Sequence, residues 1–357
     1  MKLTLYPTPI PLKDLQSIQQ MLAKDDLISS AFPPARINVY DCFSFLQQKD
    51  LYGIDTYFIL DRNIFTRIVS LARGEGVPQK KEAENAYRIA AGALAFFQCC
   101  NALVEPCMPL LEEASIANEE LRLFRKADNI APQHFADIAL GRSDRLEPQL
   151  TNKSELDENE KLPELPMWWT INYALALKLA MLELESVSQR TKLERFFKWL
   201  HEDYVWSASA VLFAAVYFSP KRKRGMLKRL RAKDRGIALN GIKNAVWDMT
   251  LLTMWSGNCH FARGTKKIWF LCSRDEAVKM IARSLVSTEA SAERGKQIFV
   301  NYWGQHDGDA LDKYYWQLTA KLKDPERRIM RVPTSDPIWS QIPQELERAF
   351  SQQVIQA

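Results

Sequence analysis

The chain has 357 residues, of which 47% are hydrophobic and 25% are charged, so it can bury a large core and is not a disordered or fibrous chain. Its length allows one large domain or two ordinary ones, at roughly 150 residues per domain. The formal net charge of +5 is too small to direct the whole chain to nucleic acid, so such an attraction must come from local clusters of basic residues.

The cysteines and the N-terminus indicate a cytoplasmic chain. None of the six cysteines forms a C-x-x-C pair or has a histidine at metal-ligand spacing, so we expect reduced thiols that pack in the core. The N-terminal stretch MKLTLYPTPIP has prolines at 7, 9 and 11, which argue against an ordinary signal peptide. The four histidines are scattered, and this disfavours zinc.

Residues 1–55 form an N-terminal extension with a helical pattern near Leu12–Leu27. The stretch TYFILDRNIF, residues 56–65, follows it. Its apolar run ends on Asp61, and the apolar pattern resumes at Ile64. A run without polar alternation predicts a strand that is covered on both faces, as in a parallel sheet.

The next segment predicts a long helix over Lys80–Asn101, a short strand at Leu103 and Val104, and a second helix that starts near Pro109. We assign residues 56–146 to the first part of one domain. The stretch between Glu147 and Pro166 is acidic and bounded by prolines, which is typical of a solvated loop.

Two largely apolar helices are predicted at residues 168–187 and 193–218. The run from Tyr204 to Phe218 has positive residues after it, as a membrane span would, but it is shorter than the ~20 residues a span needs. A buried core helix is the better interpretation. We treat residues 147–235 as an acidic loop and helical insertion that ends in a basic segment.

The basic run from Lys221 to Arg235 is the candidate contact for nucleic acid, although such a run is often only a solvated face. The candidate phosphate-binding residues are Lys221, Arg222, Lys223, Arg224, Lys228, Arg229 and Arg231.

The stretch Asn240–Gly257 has helical spacing, with Asn244 and Asp248 one turn apart and Gly257 as the expected stop. The stretch Lys266–Leu285 then repeats the earlier design, because an apolar run at residues 268–272 leads to Asp275 and an amphipathic helix. Residues 236–290 form the second part of the domain, and residues 291–357 form a C-terminal helical extension.

Two predicted strands therefore lead to an aspartate. In open parallel sheets the carboxyl ends of the strands form the ligand-binding edge, so we expect Asp61 and Asp275 to lie on that edge. Two buried like charges are costly unless a cation neutralises them. The alternative is that each aspartate only caps the helix that follows it.

The order of these elements resembles PIN-like nucleases. FILDRNIF is similar to the family's first strand and metal-site Asp, and WDMTLL followed by WFLCSRDEAVKMIA is similar to its later Asp-bearing helix and T/S-x-D strand end. The likeness covers Thr56 to about Ala114 and Gly236 to about Val286. The chain departs from the family in its long gap before Asp248, in Arg62 at a position often held by a small residue, and in its terminal extensions.

The resemblance implies an α/β fold, namely a PIN-like α/β/α sandwich with a mostly parallel central sheet and large helical insertions. It also implies a further glutamate that opens a helix. Glu112 is the candidate, in the first turn after Pro109, and Glu105 and Glu113 compete with it.

The activity implied is that of a metal-dependent nuclease, in which Asp61, Glu112, Asp248 and Asp275 converge to bind Mg²⁺ or Mn²⁺ and cleave a phosphodiester bond. The residues expected to support the metal ligands or to contact phosphate are Asn63, Asn244, Ser273, Arg274 and, as the alternative acid, Glu105. The expected partner is RNA in preference to DNA, with no membrane. A homo-oligomer, a regulatory protein partner, and a toxin or phage-defence role are left open.

Two alternatives come from other classes. The first is a PIN-like module without activity that binds nucleic acid or protein, and the second is a helical interaction protein whose aspartates are coincidental. A haloacid-dehalogenase-like phosphatase would also place an Asp after a strand, but it needs an acid two residues later, where this chain has Asn63.

Overall fold

The computed structural model describes residues 7–31, 37–147, 164–222, 225–285, 289–321 and 338–353, and helices dominate it. The strands are β1 (Ile28–Ser30), β2 (Asp55–Leu60), β3 (Leu103–Glu105) and β4 (Lys267–Cys272). The helices are α1 (Leu12–Lys24), α2 (Cys42–Tyr52), α3 (Arg62–Ala72), α4 (Lys81–Cys99), α5 (Cys107–Glu112), α6 (Ala117–Asn129), α7 (Pro132–Ala139), α8 (Met167–Glu183), α9 (Gln189–Glu202), α10 (Ala208–Tyr217), α11 (Arg235–Phe261), α12 (Glu276–Ser284), α13 (Glu289–Trp303), α14 (Gln305–Lys321) and α15 (Ile338–Gln352).

The described strands form one small mixed sheet in the order β1-β4-β2-β3. Strand β2 is parallel to both β3 and β4, while β1 runs antiparallel to β4. The carboxyl ends of β2, β3 and β4 therefore share one edge of the sheet with the start of β1. We call this the carboxyl edge. The prediction of an α/β chain with a mostly parallel sheet is confirmed at this level.

The two central strands, β2 and β4, are apolar because both of their faces are covered. Phe58 and Phe270 face one side and are buried, and Ile59 and Leu271 face the other side and are buried as well. The ring of Phe58 stacks on the rings of Phe97 in α4 and of Phe270, with centroid distances of 4.0 Å and 5.3 Å. The predicted strands with two covered faces are confirmed.

The chain divides into two compact units. The first contains residues 1–164 and 257–279, which include the sheet and helices α1 to α7. The second contains residues 165–256 and 280–357 and is helical in its described part. The N-terminal residues are part of the first unit, because α1 packs on α4 and β1 pairs with β4.

Helix α4 lies at the centre of the first unit. Its second half is almost entirely buried, which explains its Ala-rich and Phe-rich sequence. A Cβ at Gly92 would stand 2.4 Å from Met21 Cε, so glycine leaves room for the end of the Met21 side chain of α1. The predicted helices near Leu12–Leu27 and over Lys80–Asn101 are confirmed.

Helix α10 in the second unit is buried along its length, as predicted for the run from Tyr204 to Phe218. None of the described helices is long and apolar enough to cross a membrane. The second unit also buries a polar group that the sequence pattern does not reveal, since the Asn172 amide donates to the Thr250 hydroxyl at 3.1 Å.

Three predictions of helix boundaries are wrong. The single helix predicted over residues 193–218 is two helices, α9 and α10, because Ser207 caps the start of the second one. Helix α5 begins at Cys107 and ends at Glu112, so Glu112 lies in its last turn and does not open the helix. Helix α11 continues through Gly257 to Phe261. Gly257 therefore does not end the helix, and a Cβ there would meet nothing within 4 Å.

Most of the acidic loop, residues 148–163, lies outside the described residues. The six cysteines are free thiols, as expected, and all but Cys107 are buried.

We expect Phe58→Ala to lower the free energy of unfolding by about 3–5 kcal/mol, because it removes the ring that joins β2, β4 and α4. Chemical denaturation of the purified protein measures this change. Leu51→Ala is the control, since Leu51 is 61% exposed and its replacement should stay within about 0.5 kcal/mol of wild type. Equal losses in both variants would contradict the assignment of Phe58 to the centre of the core.

Candidate functional site

Asp61 directly follows β2 and is only 7% exposed. Its backbone N–H donates to the Cys272 carbonyl at 2.9 Å, which extends the pairing of β2 with β4. Its side chain makes no capping hydrogen bond to α3. Instead, Oδ2 accepts hydrogen bonds from the Ser273 hydroxyl and from the Asn63 side-chain amide, the latter at 2.5 Å.

Asp275 behaves differently, because it caps the helix that follows it. Its Oδ1 accepts from the backbone N–H groups of Ala277 at 2.8 Å and Val278 at 3.1 Å, at the start of α12. Its own N–H donates to the Ser273 hydroxyl oxygen at 3.0 Å. Ser273 therefore links the two aspartates, and the capping alternative describes Asp275 but not Asp61.

The carboxylates of the carboxyl edge influence one another. Burial raises the pKa of Asp61, and the charge of Asp275 raises it further, while the hydrogen bond from Ser273 acts in the opposite direction. Burial also raises the pKa of Glu112 to about 7, with the charge of Asp61 as the next cause. The charge of Asp275 thus acts on Asp61 and the charge of Asp61 acts on Glu112, while the convergence of these three acids on one metal site stays a prediction.

The competing acids have other positions. The Glu105 carboxylate accepts from the Cys107 N–H at 2.9 Å at the start of α5, and Glu113 is exposed just after that helix. Arg62 holds this region together, because it binds both carboxylate oxygens of Glu120, at 2.5 and 2.8 Å. Arg62 also donates to the Pro109 carbonyl at 2.8 Å, which fixes α5 against α3.

Asp248 and Asn244 lie on α11 in the second unit. Asn244 is exposed and Asp248 is half-buried. Their convergence with the three acids of the first unit stays a prediction.

The carboxylates of the carboxyl edge have suitable donor atoms for a metal ion but not the placement that such an ion needs. Carboxylate oxygens are the ligands that Mg²⁺ and Mn²⁺ prefer. However, in the described part of the chain no group of three or more His, Cys, Asp or Glu side chains is arranged to hold a metal ion. Asp61 and Asp275 are already engaged by Ser273, Asn63 and the first turn of α12. As they lie, these side chains do not form a metal centre.

Asn63 contributes an unsatisfied polar atom. Its amide nitrogen donates to Asp61, so the orientation of the amide is fixed by that hydrogen bond. Among the described residues no group donates to its Oδ1, which is buried. A buried acceptor of this kind is a position for a water molecule.

Two residues of this edge carry no recognisable signal in the sequence. Asp25 precedes the antiparallel strand β1 and forms an ion pair with Arg274, at 3.0 and 3.3 Å. Arg67 on α3 lies close enough to Asp61 and Arg274 for their charges to affect its pKa. The three-residue β1 is too short for its pattern to predict the pairing that places Asp25 here.

The predicted phosphate-binding cations divide into three sets. Lys223 and Arg224 lie outside the described residues. Lys221 donates to the Asn301 carbonyl at 3.1 Å, and Arg222 forms an ion pair with the buried Glu183 at 3.0 Å. The side chains of Lys228, Arg229 and Arg231 are exposed.

Residues 225–234, which we call the basic segment, are anchored to the second unit. Met226 and Leu230 are buried within it. A Cβ at Gly241 of α11 would stand 2.0 Å from the Lys228 carbonyl oxygen, so the segment lies directly on this helix. Arg235 adds a hydrogen bond to the Leu230 carbonyl at 3.1 Å. The exposed cations are therefore presented from a fixed backbone.

Comparison with known proteins adds nothing to this geometry, since no protein-family model, no curated protein and no solved structure matches the chain.

The raised pKa of Glu112 predicts how stability depends on pH. The folded pKa of about 7 exceeds the ordinary value of 4.5, so protonated Glu112 favours the folded state. This contribution is complete below pH 4.5 and is lost as the pH rises through 7. We expect Glu112→Gln, which stays uncharged, to gain on the order of 1–3 kcal/mol relative to wild type between those limits.

Denaturation curves at pH 4, 5, 6, 7 and 8 measure this difference. Glu113→Gln is the matched control, because Glu113 is the exposed neighbour and its replacement should leave the pH profile parallel to wild type. A Glu112→Gln profile that is also parallel to wild type would show that Glu112 has no raised pKa.

Proposed function

We propose that this chain is a nuclease of PIN-like type, an α/β/α sandwich with large helical insertions that hydrolyses phosphodiester bonds at the carboxyl edge, with RNA preferred over DNA. The observation that carries the proposal is the buried Asp61 carboxylate. It does not cap α3 and is held by Ser273 and Asn63, with Glu112 and Asp275 beside it. A structural role alone does not require a buried charge at that position.

The chain's own residues have distinct roles in this reaction. Glu112 exchanges a proton with water near neutral pH, as a general base requires, because its pKa is about 7. Burial keeps that pKa high and the charge of Asp61 adds to the effect, while Ser273 and Asn63 hold Asp61 in place. The buried Asn63 Oδ1 accepts a hydrogen bond from the attacking water.

A requirement for Mg²⁺ or Mn²⁺ belongs to the proposal because the resemblance to PIN-like nucleases implies it. The placement of the described carboxylates does not by itself support it. We therefore assign no step to a metal ion, and metal dependence is decided by the assay below. A cytoplasmic location fits the six free cysteines.

The second candidate is a PIN-like module without catalytic activity that binds nucleic acid or a protein partner. It is favoured by the same finding, since the described residues include no group of acids arranged for a metal. The two candidates differ in whether Asp61 affects turnover.

The basic segment is the proposed contact with the nucleic acid. Lys228, Arg229 and Arg231 are exposed, whereas Lys221 and Arg222 already have partners within the second unit. Exposed lysines and arginines on a fixed backbone bind phosphates without sequence preference.

We expect Asp61→Asn to abolish most cleavage of a labelled single-stranded RNA, measured with Mg²⁺, with Mn²⁺ and with EDTA. The substitution keeps the size of the side chain and removes its charge, so stability should be equal or higher at neutral pH. Asp55→Asn is the matched control at the other end of β2, where Asp55 pairs with the half-exposed Lys49. A wild type that cleaves and an Asp61→Asn variant that cleaves equally well would exclude this site as the active site.

We expect the triple replacement Lys228→Ala, Arg229→Ala and Arg231→Ala to weaken RNA binding and to reduce the log-log salt slope by roughly 0.7 for each lost phosphate contact. Fluorescence anisotropy over a range of salt concentrations measures both. The matched control replaces three exposed lysines of the first unit by alanine, namely Lys13, Lys80 and Lys81. Equal effects in the two triple variants would show that only total charge matters.

Two alanine substitutions in α11 test the role of the basic segment without changing a charge. Gly241→Ala should displace the segment and weaken RNA binding. Gly257→Ala should leave RNA binding unchanged, because a Cβ at Gly257 meets nothing within 4 Å.

A further inference from the structure

Arg67 lies on α3 one helical turn after Asn63, so both residues are on the same side of the helix. Asn63 in turn binds Asp61, and Ser273 binds the same carboxylate oxygen from β4. Arg274 directly follows Ser273. The half-buried Arg67 side chain therefore lies on the side of α3 that carries Asn63, near enough to Asp61 and Arg274 for both charges to act on it.

The neighbouring arginines have partners that Arg67 lacks. Arg62 pairs with Glu120, and Arg73 pairs with Glu75 and Glu119. Arg274 pairs with Asp25. Within the described ranges, no carboxylate or carbonyl group forms an ion pair or hydrogen bond with the Arg67 guanidinium, and a half-buried charge without a partner costs free energy.

The charges around Arg67 favour an anion. Burial lowers the pKa of Arg67, and the positive charge of Arg274 lowers it further, while Tyr87 and Asp61 act in the opposite direction. Two guanidinium groups that repel each other are stabilised when a negative group binds between them. Their planar, forked donors suit the oxygens of a phosphate group.

We propose that Arg67 and Arg274 bind a phosphate group at the carboxyl edge, beside Asp61. In the nuclease proposed above, on which this assignment rests, that group is a phosphate of the bound RNA strand next to the bond that is cleaved. Arg67 is the decisive member, since Arg274 keeps Asp25 as its partner.

The test compares Arg67→Gln with Arg73→Gln. Both change one arginine at α3, but Arg73 already has carboxylate partners. Binding of a labelled single-stranded RNA is measured by anisotropy in EDTA, over a range of salt concentrations. We expect Arg67→Gln to weaken binding roughly tenfold and to lower the log-log salt slope by about 0.7, the effect of one phosphate contact. Arg73→Gln should bind like wild type.

A second measurement uses inorganic phosphate as the probe. Thermal melts in phosphate, and in acetate at the same ionic strength, should show phosphate-specific stabilisation of wild type and Arg73→Gln but not of Arg67→Gln. Arg67→Lys keeps the charge and should retain part of the effect. Arg67→Lys also replaces Arg67→Gln in both measurements if the glutamine variant folds poorly.

The outcomes separate this proposal from the proposed function. Unchanged RNA binding and unchanged phosphate stabilisation in Arg67→Gln, or equal losses in Arg73→Gln, would overturn the phosphate site even if Asp61→Asn abolishes cleavage. A wild type that does not cleave RNA but binds phosphate through Arg67 would overturn the nuclease and leave the phosphate site standing.

Discussion

The hydrogen bond from the Ser273 hydroxyl to the Asp61 carboxylate is the interaction on which the carboxyl edge depends. It joins residues separated by 212 positions in the chain, and it exists because Leu60 and Cys272 lie opposite each other in β2 and β4. Without that register, the buried Asp61 carboxylate would need other hydrogen-bond donors, or it would have to be exposed to solvent. The same hydroxyl accepts from the Asp275 N–H, so one side chain sets the position of both aspartates.

The charged groups of this edge divide into ion pairs that connect elements of the fold and acids that form no ion pair within the described residues. Arg62 with Glu120 and Arg274 with Asp25 connect separate elements of the first unit. Within the part of the chain that the structure describes, Asp61 and Glu112 form no ion pair of that kind, and both have raised pKa values. Burial, followed by the charge of a neighbouring carboxylate, raises the pKa of each of these two acids.

Sequence patterns predicted the elements whose residues repeat a clear design. The strand before Asp61 and the strand before Ser273 were predicted because four or five apolar residues in a row need cover on both faces, and α4 was predicted from its Ala-rich periodicity. The position of Glu112 was predicted only in part, because Pro109 lies inside α5 and a proline near a helix start does not fix the first residue.

The surroundings of Asp25 and Arg67 could not be predicted from the sequence, for a different reason. Each depends on long-range placement, Asp25 through a strand of three residues and Arg67 through the position of α3 at the end of β2, and neither leaves a local pattern. A local pattern also cannot show that Asp275 caps its helix while Asp61 does not, since both follow apolar strands. That distinction depends on which donors the fold places around each carboxylate.

The strand order has a consequence for how the protein is made. Strands β1 and β2 leave the ribosome early, but they do not pair with each other, because β4 lies between them and is synthesised last. Until residues 267–272 have been translated, the central position of the sheet is empty and one side of β2 has no hydrogen-bonding neighbour. Unpaired apolar strands of this kind invite association with other chains, so the nascent first unit should need a chaperone or rapid translation more than a domain with local pairing.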